Sequence, residues 1–144
     1  MLVEDVIARL QERVSDLSGR IEGAAHLAQL QAQNKFPTVT PAANVISSGL
    51  QGGVPDAASG IFRQSFDETI AVILTFRNTP GKGARALDKV ESVKRAVIEA
   101  VCGWAPDDLL GVFRLARGGI VSFTGGTLIY QIEFAVGDQL RITP

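Results

Sequence analysis

Residues 112–123 read VFRLARGGIVSF, and beyond Thr124 and the pair Gly125-Gly126, residues 127–136 read TLIYQIEFAV. Two β-rich runs on either side of a glycine pair signal a hairpin, because glycine supplies the positive φ that a tight turn requires. In the second run Leu128, Tyr130, Ile132, Phe134 and Val136 fall on alternate positions, while Thr127, Gln131 and Glu133 fall on the other face. One side of this strand is therefore expected to be core and the other not. A lone hairpin is at best marginally stable in water, so the fold needs more sheet and a helix over it.

Working outward, residues 84–103 read as a helix with Leu87, Val90, Val97, Ile98 and Val101 on one stripe, and with Glu91, Arg95 and Glu99 at salt-bridge spacing. Before it, residues 78–83 (NTPGKG) are turn chemistry, and residues 61–76 form a long strand. Phe62, Phe66, Ile70, Val72, Leu74 and Phe76 share one face of that strand, interrupted by Gln64 and Glu68; Arg63, Ser65, Asp67, Thr69 and Thr75 share the other. At about 3.3 Å per residue it would extend roughly 50 Å, longer than a domain of this size needs, so its polar first half is expected to project. Residues 47–60 (SSGLQGGVPDAASG) carry four glycines and few anchoring side chains, and read as a flexible loop or arm. A short extended segment at 43–46, a weak helix over 21–33 and an amphipathic helix over 2–17 complete the chain. The expected fold is α+β, an antiparallel sheet of about four strands covered by helices, in the order ααββαββ.

The 144 residues are 46% hydrophobic and 20% charged, which fits a single folded domain with a sizeable core. A formal charge of −1 gives no general attraction to nucleic acid or to an anionic membrane. The single cysteine, Cys102, excludes an intramolecular disulfide framework and suits a reducing compartment. The longest wholly apolar run, residues 70–74, is far too short to span a bilayer, and no secretion signal opens the sequence.

Catalytic and ligand-binding patterns do not emerge. His26 is the only histidine and has no partner at metal-ligand spacing. Cys102 lies beside Val101, Gly103 and Trp104 and reads as a small buried hydrophobe. Lys82 lacks the Walker frame. Asp67 and Glu68 are neighbours on a strand and point to opposite faces, so they cannot share a proton; Asp107 and Asp108 follow a proline as turn or cap residues. No cofactor, metal or enzymatic activity is expected. The apolar faces exceed what a sheet of about four strands needs on one side, and the excess is a candidate subunit interface.

GWAPDD (103–108), GVFRLARG (111–118) and GGTLIYQIEFAV (125–136), with the opening VEDVIARLQERV (3–14) and PAANVI (41–46), carry a resemblance. In this order they resemble the tail-terminator-like proteins of long-tailed bacteriophages and prophages, over most of the chain. The resemblance implies an α+β subunit that assembles as a ring, typically a homohexamer, on the head-proximal end of the tail tube. Its implied partners are the tail tube protein and the head-tail connector or stopper protein, with DNA passing through the lumen and no membrane involved. It implies a virion protein assembled in the host cytoplasm. No residue-level site comes with it.

The candidate interface with a neighbouring subunit or the tube is therefore placed on the projecting segment: Gln51, Val54, Asp56, Ile61, Arg63, Ser65, Asp67 and Thr69. Deleting residues 51–59 is expected to impair assembly and to leave the fold intact. Two other readings remain at this point: a head-completion or neck adaptor of the same virion, and a small-ligand-binding domain. The second would need a polar pocket with convergent titratable groups.

Overall fold

The computed structural model describes residues 2–77, 83–106 and 111–144. In chain order the elements are α1 (Leu2–Arg13), β1 (Ile21–Glu22), α2 (Ala24–Ala32), β2 (Ala42–Asp56), β3 (Phe62–Arg77), α3 (Gly83–Val101), β4 (Arg114–Thr124) and β5 (Thr127–Ile142), with short 3-10 turns at Ser15–Leu17 and Ala58–Gly60. The sheet runs β1-β2-β3-β5-β4. Every pairing is antiparallel except that of β1 with β2.

The closing hairpin forms as its sequence requires. Gly125 and Gly126 hold φ of 59° and 77°, the positive values a two-residue hairpin turn demands. Leu128, Ile132, Phe134 and Val136 are buried, and they lie opposite Phe76, Val72, Ile70 and Glu68 of β3. On β2, Ala43 and Val45 continue that row. Two helices cover it. Val6 and Leu10 of α1, and Val90, Val93 and Val97 of α3, join the strand residues and Phe113 in one hydrophobic cluster. Each fully buried aliphatic or aromatic side chain there contributes about 1.5–3 kcal/mol.

The expected fold class holds, with corrections. The sheet has a fifth strand and is mixed, because Ile21 and Glu22 pair in parallel with Ala43 and Asn44 instead of opening a helix. Two residues are too few to show any periodicity, so sequence patterning could not reveal this strand. α1 stops at Arg13, four residues short of expectation, and a 3-10 turn carries Leu17 into the core. The largest difference lies at 47–60. Residues up to Asp56 form the second half of β2, paired with β3 from Ile70 to Arg63, in place of the expected loop. Backbone ladder bonds do not depend on anchoring side chains, and the glycines serve close approach: a Cβ on Gly53 would lie 2.9 Å from the Ser65 carbonyl oxygen. Thr127, expected on the uncovered face, is buried. On α3, Arg95 pairs with Glu99 at 3.1 Å as the spacing requires, but Glu91 takes Lys94 at 2.7 Å instead of Arg95. The turn expected at 78–83 is described only at Gly83; Lys82, the side chain of Leu87 and the pair Asp107 and Asp108 lie outside the described residues.

Candidate interface surface

β3 and β5 are both sixteen residues long, and the helices cover only the half of the sheet where β3 runs from Ile70 to Phe76. Past Ile46 every residue of β2 is exposed; on β3 Phe62 to Ser65 alternate between half-buried and exposed, and Phe66 to Thr69 are half-buried. This end of the sheet consists of β2, β3 and β5 alone, since β4 pairs with β5 only as far as Ala135.

Six of the eight residues singled out from sequence come together on one face of it. Arg63, Ser65, Asp67 and Thr69 alternate along β3, and Asp56 and Gln51 lie directly opposite Arg63 and Asp67. Val54 falls at a register irregularity between Gly52 and Pro55 and is 91% exposed. Ile61 sits at the hairpin end, just past the 3-10 turn, whose Ala58 amide donates to Asp56 Oδ1 at 2.9 Å.

The face is polar and rich in arginine. Arg114 of β4 donates to Asp67 Oδ2 at 2.7 Å, and Arg117 donates to Glu133 Oε2 at 2.7 Å. The Glu133 carboxylate holds the Arg117 guanidinium above its already high range. Arg63 lies directly opposite Arg141 of β5, whose Nε donates to Gln139 Oε1. Like charges facing each other across a ladder are unfavourable. Among the described residues no carboxylate forms an ion pair with either. Guanidinium groups on two directly opposite residues can donate to an incoming carboxylate in a charge-assisted, forked geometry.

The opposite face of the same end carries a surface that the sequence reading did not assign. Leu50, Phe66 and Leu140 lie on the helix-covered face by register, yet past the reach of the helices, with Leu50 70% exposed. On β4, Leu115, Ile120 and Phe123 lie opposite Phe134, Tyr130 and Leu128, on that same face, but all three are exposed. The available signal was Ile120-Val121-Ser122-Phe123, where bulges break strict alternation and place apolar groups on both sides of an edge strand.

Elsewhere the polar groups serve structure. His26 Nδ1 faces the side-chain amide of buried Asn44 at 3.2 Å, and that amide also donates to the Gly23 carbonyl at 3.3 Å. With Arg20, Glu22, Lys35 and Phe36 these residues line an open depression of about 260 Å³. Arg20 is already engaged there by the Pro41 and Asp16 carbonyls. Among the described residues no cluster of three or more His, Cys, Asp or Glu is placed to hold a metal ion. Cys102 is half-buried, and that burial raises its thiol pKa. Among the described residues no helix is long and apolar enough to cross a membrane.

The family model for the phage tail terminator protein matches residues 1–144. The chain belongs to that family. A tail terminator is a structural protein of the phage tail and a component of the virion, which agrees with a surface made of strands and paired charges. The match spans every stretch that carried the resemblance, from the opening helix to the closing hairpin. No curated protein matches the chain.

Proposed function

We propose that this tail terminator caps the head-proximal end of the tail tube as an oligomeric ring. The ring ends polymerisation of the tube protein and offers its other side to the head-tail connector, and DNA passes through its lumen without sequence-specific contacts. Six copies is the expected number from the resemblance.

The observation that carries this reading is the uncovered end of the sheet. A monomeric protein seldom leaves three long strands unburied on both faces, because exposed ladders and apolar patches invite other chains. Here one face presents Gln51, Asp56, Arg63, Ser65, Asp67 and Thr69, and the other presents Leu50, Phe66 and Leu140. The facing pair Arg63 and Arg141 suits a carboxylate on a docking partner. Capping requires one side of the ring to dock on a tube end and the other to refuse a further ring.

The test adds the purified protein to polymerising tail tube protein and images the product. Capped tubes of arrested length, with ring-shaped density at one end, are the expected result. Tubes that grow as long with the protein as without it would remove the capping role. Cross-linking that finds only portal-side protein would move the chain to the neck instead.

A further inference from the structure

Among the described residues the sheet has two free edges. β4 is the last strand on one side, and segment 102–104 reaches only its start, where the Gly103 amide donates to the Phe113 carbonyl and Phe113 donates to Trp104. Among the described residues nothing pairs with the outer edge of 118–124. On the other side β1 pairs only with Ala43 and Asn44, so among the described residues β2 has no outer strand partner beyond Asn44 and is exposed from Ser47 to Asp56. Neither open stretch contains a lysine, and Pro55 is the only proline in either. Most of the usual devices that keep an edge strand from pairing are thus missing. The bulges in both strands add twist and curvature.

We infer that the outer edge of β4 at 118–124 pairs, antiparallel, with the outer edge of β2 at about 46–54 in the next copy of this chain. The inference rests on the ring reading above and specifies how its subunits join. Strand sense supports it first. β2, β3, β5 and β4 alternate in direction, and a rotation that relates copies around an axis preserves strand sense. β4 of one copy therefore meets β2 of the next running the opposite way, and the alternation continues unbroken through the junction. The contact is heterologous, the kind that closes into a ring and not into a two-fold dimer.

Register supports it second. Ile120 of β4 is level with Tyr130, Leu74 and Ala43, whereas Leu50, near the middle of the open β2 stretch, is level with Glu68. Bringing Leu50 of the next copy beside Ile120 needs a stagger of six residues along β3, roughly 20 Å at about 3.3 Å per residue. Four strands at about 4.8 Å span roughly 19 Å, so this stagger corresponds to a strand tilt near 45°. Closed barrels tilt their strands by about 35–45°. The offset between the two free edges is the one that a closing sheet requires.

Side chains support it third. The pairing places exposed Ile120 beside exposed Leu50 of the neighbour, on the same face of the joined sheet. β4 carries Arg114 and Arg117 and no acid, while β2 carries Asp56 and no base, so the junction sets no like charges against each other.

The experiment uses the full chain assembled on tail tubes, with Cys102→Ser combined with Leu50→Cys and Ile120→Cys, under mild oxidation. The expected result is a ladder of covalent multimers ending in one closed species, with each single cysteine giving at most a dimer. A double variant that stops at dimers, or does not cross-link, overturns the inference. Ile120→Lys is the second arm, a substitution at a residue 64% exposed that is expected to leave the circular dichroism unchanged. It is expected to reduce ring formation at least tenfold, and rings at the normal level would overturn the inference. Capping retained without the cross-link overturns edge pairing alone. A wild-type chain that neither caps tubes nor forms multimers overturns the capping role as well.

Discussion

The Arg114 guanidinium reaches across β5 to the Asp67 carboxylate, 2.7 Å away, at the point where β5 has only Gly137. Arg114 lies opposite Ala135, and Asp67 lies opposite Gly137, so the pair runs diagonally over a strand that presents only a methyl group and a hydrogen there. Both partners are well exposed, and such pairs contribute only about 0.2–1 kcal/mol. A double-mutant cycle with Arg114→Ala and Asp67→Ala is expected to give a coupling in that range. In about 1 M salt, where the Debye length falls to about 3 Å, the coupling should shrink. A Cβ at position 137 would sit 3.5 Å from Asp67 Oδ1, an ordinary contact, so Gly137→Ala should keep the coupling. Gly137→Val fills the crossing and should abolish it.

The hairpin turn makes a sharper demand. Gly125 and Gly126 both have positive φ, a region that asparagine tolerates and β-branched residues do not. Nothing lies within 4 Å of a Cβ placed on Gly125. Gly125→Asn is expected to be neutral, or to stabilise by up to about 1 kcal/mol through the unfolded chain. Gly126→Val should cost about 1–3 kcal/mol in strain. Thermal melting checks both, with Gly125→Asn at or above the parent and Gly126→Val below it.

This turn shows why much of the fold was legible. Gly125-Gly126 and the alternation from Leu128 to Val136 are local signals, and the pairing they specify is what formed. β1 and the second half of β2 were not legible, for a different reason. Ile21 and Glu22 form a strand only because Ala43 and Asn44 lie beside them, and the glycine-rich run up to Asp56 is held by the ladder to β3. Both are consequences of tertiary pairing, which leaves little trace in local composition. The candidate contact face was half legible. Alternation placed Arg63, Ser65, Asp67 and Thr69 together, but the facing of Arg63 and Arg141 depends on a register that only the assembled sheet supplies.

Cys102 gives a chemical probe of the helix end. Burial raises its thiol pKa, and a hydrogen bond with the Leu115 backbone opposes part of that shift. The thiolate is the reactive form, so alkylation near neutral pH should be slower in the folded protein than in denaturant. The folded pH–rate profile should lie at higher pH than the unfolded one. The sign for stability follows. Above the unfolded thiol's pKa only the unfolded chain ionises, so the stability linked to this group falls as pH rises, until the folded pKa is passed. A folded profile lying at or below the unfolded one would contradict the burial.

Phe134 tests the centre of the core. It is fully buried, directly opposite Ile70 on β3 and Leu115 on β4. Phe134→Ala is expected to cost about 3–5 kcal/mol. Phe134→Asp places an unpaired carboxylate in that apolar layer and should prevent folding, seen as loss of the cooperative thermal transition. Phe123→Ala, at a residue 59% exposed, is the control and should change stability by no more than about 0.5 kcal/mol.

The uncovered end of the sheet can be removed as a unit, but not at the boundaries the sequence reading chose. Deleting 51–59 joins Leu50 to Gly60. Leu50 pairs with Glu68, and Gly60 lies eight residues from Glu68 along the chain, about 26 Å in extended form. That deletion would tear β3 away from β2 and β5, and lost assembly would then say nothing about contacts. Gln51 and Asp67 are direct partners, so the clean cut replaces residues 52–66 with an Asn-Gly turn. Among the described side chains from 52 to 66 none is buried, so the hydrophobic cluster stays whole. The shortened protein is expected to melt cooperatively within a few degrees of the parent, yet to fail to form rings or to arrest tube growth. Rings and capped tubes of normal length from this variant, by electron microscopy and light scattering, would show that Ile61, Arg63, Ser65 and the strand opposite them take no part in assembly.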